Sequence, residues 1–263
     1  MEHKVEFPLE SAEEHKKCCR LMAKPASYME NEEPHLTPAL KEHYETEAKV
    51  LCLLVNLETR FRDYYNQYQC EMQAQSILIE RIWLLTQRYL ILISSEQSCR
   101  FPEVYTLSTE EAIINEYEEK LEVVRASNNT LKKSLLEISQ HCKEFYAAYD
   151  RLDKTQETPF ILGDKFHQGI KRHKIMAVEI FNYLYALVLK LKCFMHQLDP
   201  VNLESVEEYR DLLQNEAQME EFEEYLKVRF TYCNCLRPMK TCPIFKLKCS
   251  HKNLLNLKYV SRI

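Results

Sequence analysis

The sequence predicts an all-α fold: an elongated, mostly antiparallel helical bundle with long coiled-coil helices. Three observations predict it. Glycine is nearly absent, with only Gly163 and Gly169 in 263 residues, where average usage of about 7% would give roughly eighteen. Without glycine the chain lacks the positive-φ positions that tight hairpins and Gly-rich nucleotide loops require, which argues against both. Between Pro38 and Pro102 there is no proline. Through two long stretches, apolar residues recur at heptad spacing.

The first 36 residues are charged, carry Pro8, Pro25 and Pro34, and show no sustained period. They read as a mostly disordered leader, with a short helix around residues 10–22 as the one element in it. The opening MEHKVEFPLE has acids at Glu2 and Glu6 and no apolar run, unlike a secretory signal or a transit peptide. An intracellular protein is expected: cytoplasmic, with the nucleus or the cytoskeleton as alternatives. Eleven cysteines, an odd number scattered along helical patterns, read as reduced thiols filling a core, not as a disulfide framework.

The bundle is expected over residues 37–231. Its first helix starts at LTPALKEHYE, where Thr37 serves as cap and Pro38 fits the first helical position. One heptad position then reads Leu51, Glu58, Tyr65, Met72, Ile79, Thr86, Ile93, and its companion reads Leu54, Phe61, Tyr68, Gln75, Ile82, Tyr89. This is a long apolar seam with polar breaks.

The second helix follows a turn, with Ser108 or Thr109 as cap and an acidic first turn. Its seam is stricter: Ile114, Leu121, Asn128, Leu135, Cys142, Tyr149 alternate with Tyr117, Val124, Leu131, Ile138, Phe145, Leu152. Asn128 is the exception. Asparagine at such a position fixes register or partner number at some cost in stability; the alternative is that it faces water where the bundle frays.

Pro159 and Gly163 break the pattern, and a third helix is expected from about Asp164 to Asp199-Pro200. Its seam holds Phe166, Ile170, His173, Ala177, Ile180, Leu184, Leu187, Leu191, Phe194 and Leu198, while Phe181, Tyr185 and Val188 make it apolar on further faces. A helix of that kind belongs in the middle of a core. The apolar run at 175–189 is interrupted by Glu179 and Asn182 and closed by Lys190 and Lys192. It falls short of the roughly twenty apolar residues of a membrane span, so no transmembrane segment is expected. A fourth, acidic helix is expected over 204–230, burying Leu212, Leu213, Phe222, Tyr225 and Leu226.

No catalytic constellation emerges. Glu32 and His35 form the one Glu-x-x-His pair, no second copy completes a di-iron motif, and His167, His173 and His196 do not stack on one helical face. Nucleophile elbow, P-loop and dinucleotide fingerprints are missing. The expectation is a non-enzyme with no cofactor and no small-molecule substrate. In FRDYYNQYQC, the seam accounts for Phe61, Tyr65 and Tyr68, leaving Tyr64 to point elsewhere.

From Glu204 to Glu224 there are nine acids and one base, Arg210; from Tyr225 onward there are nine Lys or Arg and no acid. Residues 232–263 are expected to be a weakly ordered, basic, Cys-rich tail. It could dock on the acidic helix of its own chain, on an anionic membrane, on an acidic tubulin-like surface or on nucleic acid, although a net charge of −5 is not that of a dedicated nucleic-acid binder. Cys233, Cys235, Cys242, Cys249 and His251 are low-ranking metal candidates, because both end pairs are one residue tighter than a usual zinc knuckle.

Long helices beside shorter ones would leave part of a heptad seam bare. The leading expectation is therefore a coiled-coil adaptor or subunit of a larger assembly, cytoskeletal, centrosomal, kinetochore or meiotic in texture. It would bind another helical protein, or itself, through Leu51, Phe61, Tyr65, Tyr68, Met72, Ile79, Ile82, Leu121, Val124, Asn128, Leu131, Leu135 and Ile138. Glutamate at Leu121 and Leu135 should then abolish association without unfolding the chain. The alternative is a monomeric bundle whose tail binds an anionic surface or nucleic acid, with zinc as an option.

Overall fold

The computed structural model describes residues 38–98, 107–163, 168–214 and 216–232. The leader, the tail beyond Tyr232 with its five candidates from Cys233 to His251, Thr37, Phe166 and His167 lie outside the described residues. Among the described residues the fold is all-α. It holds no strand, only isolated bridges between Gly163 and Gln168 and between Asp199 and Asn202.

Helix α1 is Pro38–Ser98 and α2 is Leu107–Asp150. A short turn of helix, α3, covers Pro159–Leu162, followed by α4 at Ile170–Met195, α5 at Leu203–Leu213 and α6 at Glu216–Glu224. A π-helical turn, Tyr225–Arg229, follows. The chain divides into two compact units that share the long helices. One takes residues 38–58, 141–163, 168–176 and 230–232; the other takes 59–98, 107–140, 177–214 and 216–229.

In the first unit, Leu51, Leu54, Leu57, Phe145, Tyr149, Phe160, Ile170 and Phe230 form the core. Pro159 does not simply break the chain here. Thr158 caps α3 by accepting from the N–H of Ile161, and Pro159 occupies the first helical position, where a missing N–H costs nothing. Gly163 closes the turn at φ 88°, with its N–H donating to Pro159 O at 2.9 Å; that left-handed φ suits glycine. Gly169 is required for another reason, since a Cβ there would run into the carbonyl oxygen of Ile161. The third long helix therefore begins at Ile170, later than the proline and glycine positions suggest.

In the second unit α1 and α2 run antiparallel. Their cross-links fall along α2 as they climb α1: Gln75 to Asn128 at 2.9 Å, Arg81 to Glu116 at 2.6 Å, Tyr89 to Glu110 at 3.1 Å. Phe61, Ile79, Ile82, Tyr117, Val124 and Leu131 are fully buried between these helices and their neighbours. Ile113, not Ile114, is the buried residue at the start of the α2 seam, and Ser108 and Thr109 lie inside the first turn, not ahead of it.

Two further expectations are corrected. Helix α4 buries a single stripe, including Ala177, Ile180, Leu184, Val188, Leu191 and Met195. Its other face stays in water, with Val178 and Tyr185 exposed, because no second layer covers it among the described residues. The expected fourth helix is two helices, and the break shifts the buried phase. Val206 and Tyr209 are its fully buried residues, Phe222 and Leu226 are buried as expected, and Leu212, Leu213 and Tyr225 are half-buried.

Candidate interaction surface

The thirteen seam residues are all buried within the chain itself, Leu51 in the first unit and the other twelve in the second. The bare stretch of seam expected from unequal helix lengths is not found among them. Physically, α4, α5 and α6 reach the seam and cover it: the Phe222 ring packs on Tyr65 at 5.6 Å and on Tyr183 at 4.6 Å. Leu121 and Leu135 are nearly inaccessible, so glutamate at either position would bury an unpaired carboxylate and test folding instead of association. Tyr64, expected to point elsewhere, is also core; burial raises its phenol pKa.

Asn128 does not face water. It belongs to a closed ring of hydrogen bonds that ties three helices together. Gln75 Nε2 donates to Asn128 Oδ1 at 2.9 Å, Asn128 Nδ2 donates to the Tyr209 hydroxyl at 3.1 Å, and that hydroxyl donates to Gln75 Oε1 at 2.6 Å. The other Nε2 hydrogen of Gln75 goes to Ser127 Oγ at 2.7 Å, and Ser127 donates onward to Glu71. The ring joins one residue from each of α1, α2 and α5 and so ties the three helices together in this register. Burial pushes the Tyr209 phenol up to about 12, against the hydrogen bond from Asn128, and it remains protonated at neutral pH.

Polar breaks in the first unit are likewise occupied. His43 Nε2 and Glu47 Oε1 lie 3.1 Å apart and buried, and Thr158 donates to the same carboxylate. Glu58, a seam break by sequence, accepts the N–H of Tyr232 at 2.6 Å, and the Tyr232 ring packs on His173 at 5.2 Å. These carboxylates hold helices in place.

The surface that remains available lies on the back of the seam. On α1, Cys70, Ile77, Leu84 and Ile91 recur at seven-residue steps; Ile77 is 75% exposed, Leu84 44% and Ile91 65%, and Cys70 is an exposed free thiol. At about 100° per residue, Ile77 points roughly 200° away from Gln75, opposite the core. On α4, Val178, Tyr185 and Leu189 form a second exposed apolar line.

Comparison of the chain with protein-family models, curated proteins and solved structures finds no match. The residues themselves must carry any reading of function. Among the described residues there is no group of three or more His, Cys, Asp or Glu placed to hold a metal ion, and no helix long and apolar enough to cross a membrane. One open cavity of about 410 Å³ lies in the second unit, lined by Tyr65, Tyr68, Met72, Leu187, Leu212 and Leu213, with Glu220 and Glu223 at the same site. The exposed stripe was not legible as a surface because the stronger apolar seam lies on the same helix and sequence period alone does not say which of the two is covered. Its signal was nonetheless present, as a second heptad offset from the first.

Proposed function

We propose that this chain is a non-enzymatic helical adaptor or subunit of a larger assembly, working inside the cell and docking a partner helix along the back of α1. The observation that carries this reading is the exposed stripe Cys70, Ile77, Leu84, Ile91. Apolar side chains at a seven-residue step share one face of α1 and supply one contact position per heptad to a helix that winds along it, with the companion positions Gln73, Glu80 and Gln87 polar. A lone exposed leucine needs no explanation; three large apolar residues and a thiol in heptad register do.

The partner proposed is a helix of another protein that presents its own apolar heptad. Light scattering coupled to size exclusion, on the full chain at low and high salt, tests this. The wild-type chain should associate with a partner or precipitate without one, insensitively to salt, and Ile77→Glu with Leu84→Glu should abolish association while leaving helicity unchanged. A concentration-dependent dimer lost in the same variant would make the partner a second copy. Association that survives both glutamates, or that fades steeply with salt as contacts through a basic tail would, refutes the stripe.

A further inference from the structure

We propose that α5 is a detachable latch over the middle of the α1–α2 seam, and that its release opens the Gln75–Asn128 layer to a partner helix. It rests on the subunit reading only for what the opened layer binds; the opening itself belongs to this chain alone.

Four features of α5 set it apart from the long helices of its unit. It is eleven residues long, and helices shorter than about 12–15 residues are marginal in water without tertiary support. That support is thin, because only Ser205, Val206 and Tyr209 are buried. Its fastening is polar: the Tyr209 hydroxyl in the hydrogen-bond ring, the Trp83 indole donating to Glu207 at 3.4 Å, and the Arg210 guanidinium 5.4 Å from the Trp83 ring centre. Beneath its C-terminal end lies the 410 Å³ cavity, where Leu212 and Leu213 share walls with Tyr68, Met72 and Leu187. Side chains facing an open cavity lack close protein contacts on that side, which weakens the hold on this end of the helix. Helix α4, by contrast, buries an apolar residue at nearly every turn.

Release exposes Val206 and Tyr209, but at the site it uncovers it leaves no polar group unsatisfied. When Tyr209 leaves, Gln75 and Asn128 exchange a buried partner for water, so no polar group is orphaned. One turn away on each helix stand Met72, Ile79, Val124 and Leu131, which supply apolar contact on both sides of the polar layer. The partner this layer fits is a helix with an amide or hydroxyl side chain in the middle of an apolar heptad, replacing Tyr209 in the ring.

Trp83 is the chain's only tryptophan and touches α5 directly, so it reports the latch. The experiment is native-state hydrogen exchange by mass spectrometry on the full chain, together with Trp83 emission in urea. Amides of 207–213 should exchange at least about tenfold faster than those of 121–138 and 180–191, and Trp83 emission should shift red at lower urea than the loss of ellipticity at 222 nm. Tyr209→Phe should accelerate α5 exchange by about 5- to 30-fold and leave the other two stretches unchanged. Arg210→Gln, at a half-buried position against Trp83, should accelerate it by about 2- to 5-fold and gives a second reading if the first variant folds poorly. Exchange of α5 at the rate of α2, coincident urea transitions, or variants that raise exchange equally everywhere would overturn the latch. The α1 stripe is tested by association alone, so either proposal can fail without the other.

Discussion

Asn128→Ala and Tyr209→Phe should destabilise the docking of α5 by less in combination than the sum of their separate effects. The magnitude follows from the hydrogen bonds. Asn128→Ala removes from the α5 contact the bond donated to Tyr209, about 1 kcal/mol net, while the bond it accepts from Gln75 joins α1 to α2 whether or not α5 is docked. Tyr209→Phe removes the bond donated to Gln75 and the same Asn128–Tyr209 bond, about 2 kcal/mol. The shared bond is counted in both, so the double variant should lose about 2 kcal/mol, a coupling of about 1 kcal/mol. Gln75 keeps Ser127 as an acceptor throughout, which prevents a larger collapse of the ring. Urea titrations of the four proteins, followed by Trp83 emission, measure the cycle, provided the slopes agree. Coupling below about 0.3 kcal/mol, or an Asn128→Ala change within the ±0.5 kcal/mol of an ordinary surface site, would refute the ring as a register device.

Thr86 is buried with its hydroxyl unpartnered, so the near-isosteric Thr86→Val should stabilise the chain by about 1 kcal/mol, read as a higher urea midpoint at 222 nm; a lower midpoint would mean the hydroxyl has a partner. Alkaline pH should destabilise the fold. Burial raises the Cys142 thiol to about 11 and Tyr209 to about 12, and burial, with Glu223 close by, raises Tyr65 to about 12. The folded state thus holds protons that the unfolded chain releases near pH 9–10, and stability should be intact below about pH 9 and fall as pH rises toward 12. A stability curve flat to pH 11 would contradict this. Over the same range, Cys70 and Cys193, both exposed, should react with a thiol reagent well before Cys142.

Much of the fold was legible in the residues. Two glycines and long proline-free stretches pointed to helix, and the heptads located the buried face of α1 and α2: all thirteen seam residues are buried. Boundaries near Pro159 and Gln214 were not legible, because they depend on contacts distant in sequence. Thr158 caps a turn that also donates to Glu47, and the break after α5 places Tyr209, not Leu212, against Gln75. The residues expected to meet a partner have the period of a packed seam, and within the chain that seam is buried. A heptad says that a stripe will be covered; it does not say whether the cover comes from the same chain.

What the sequence determined by itself is the element type and the buried period, since both follow from local backbone preference and the 3.6-residue turn. What only the tertiary structure decided is the use of each stripe. Asn128 could equally have met water, a partner or its own chain, and it is Tyr209, 81 residues away, that resolves the choice. The same long-range packing consumes the stronger seam and leaves Ile77, Leu84 and Ile91 in solvent. Burial of a helix face is a property of what else packs there, and that information is spread over the whole chain.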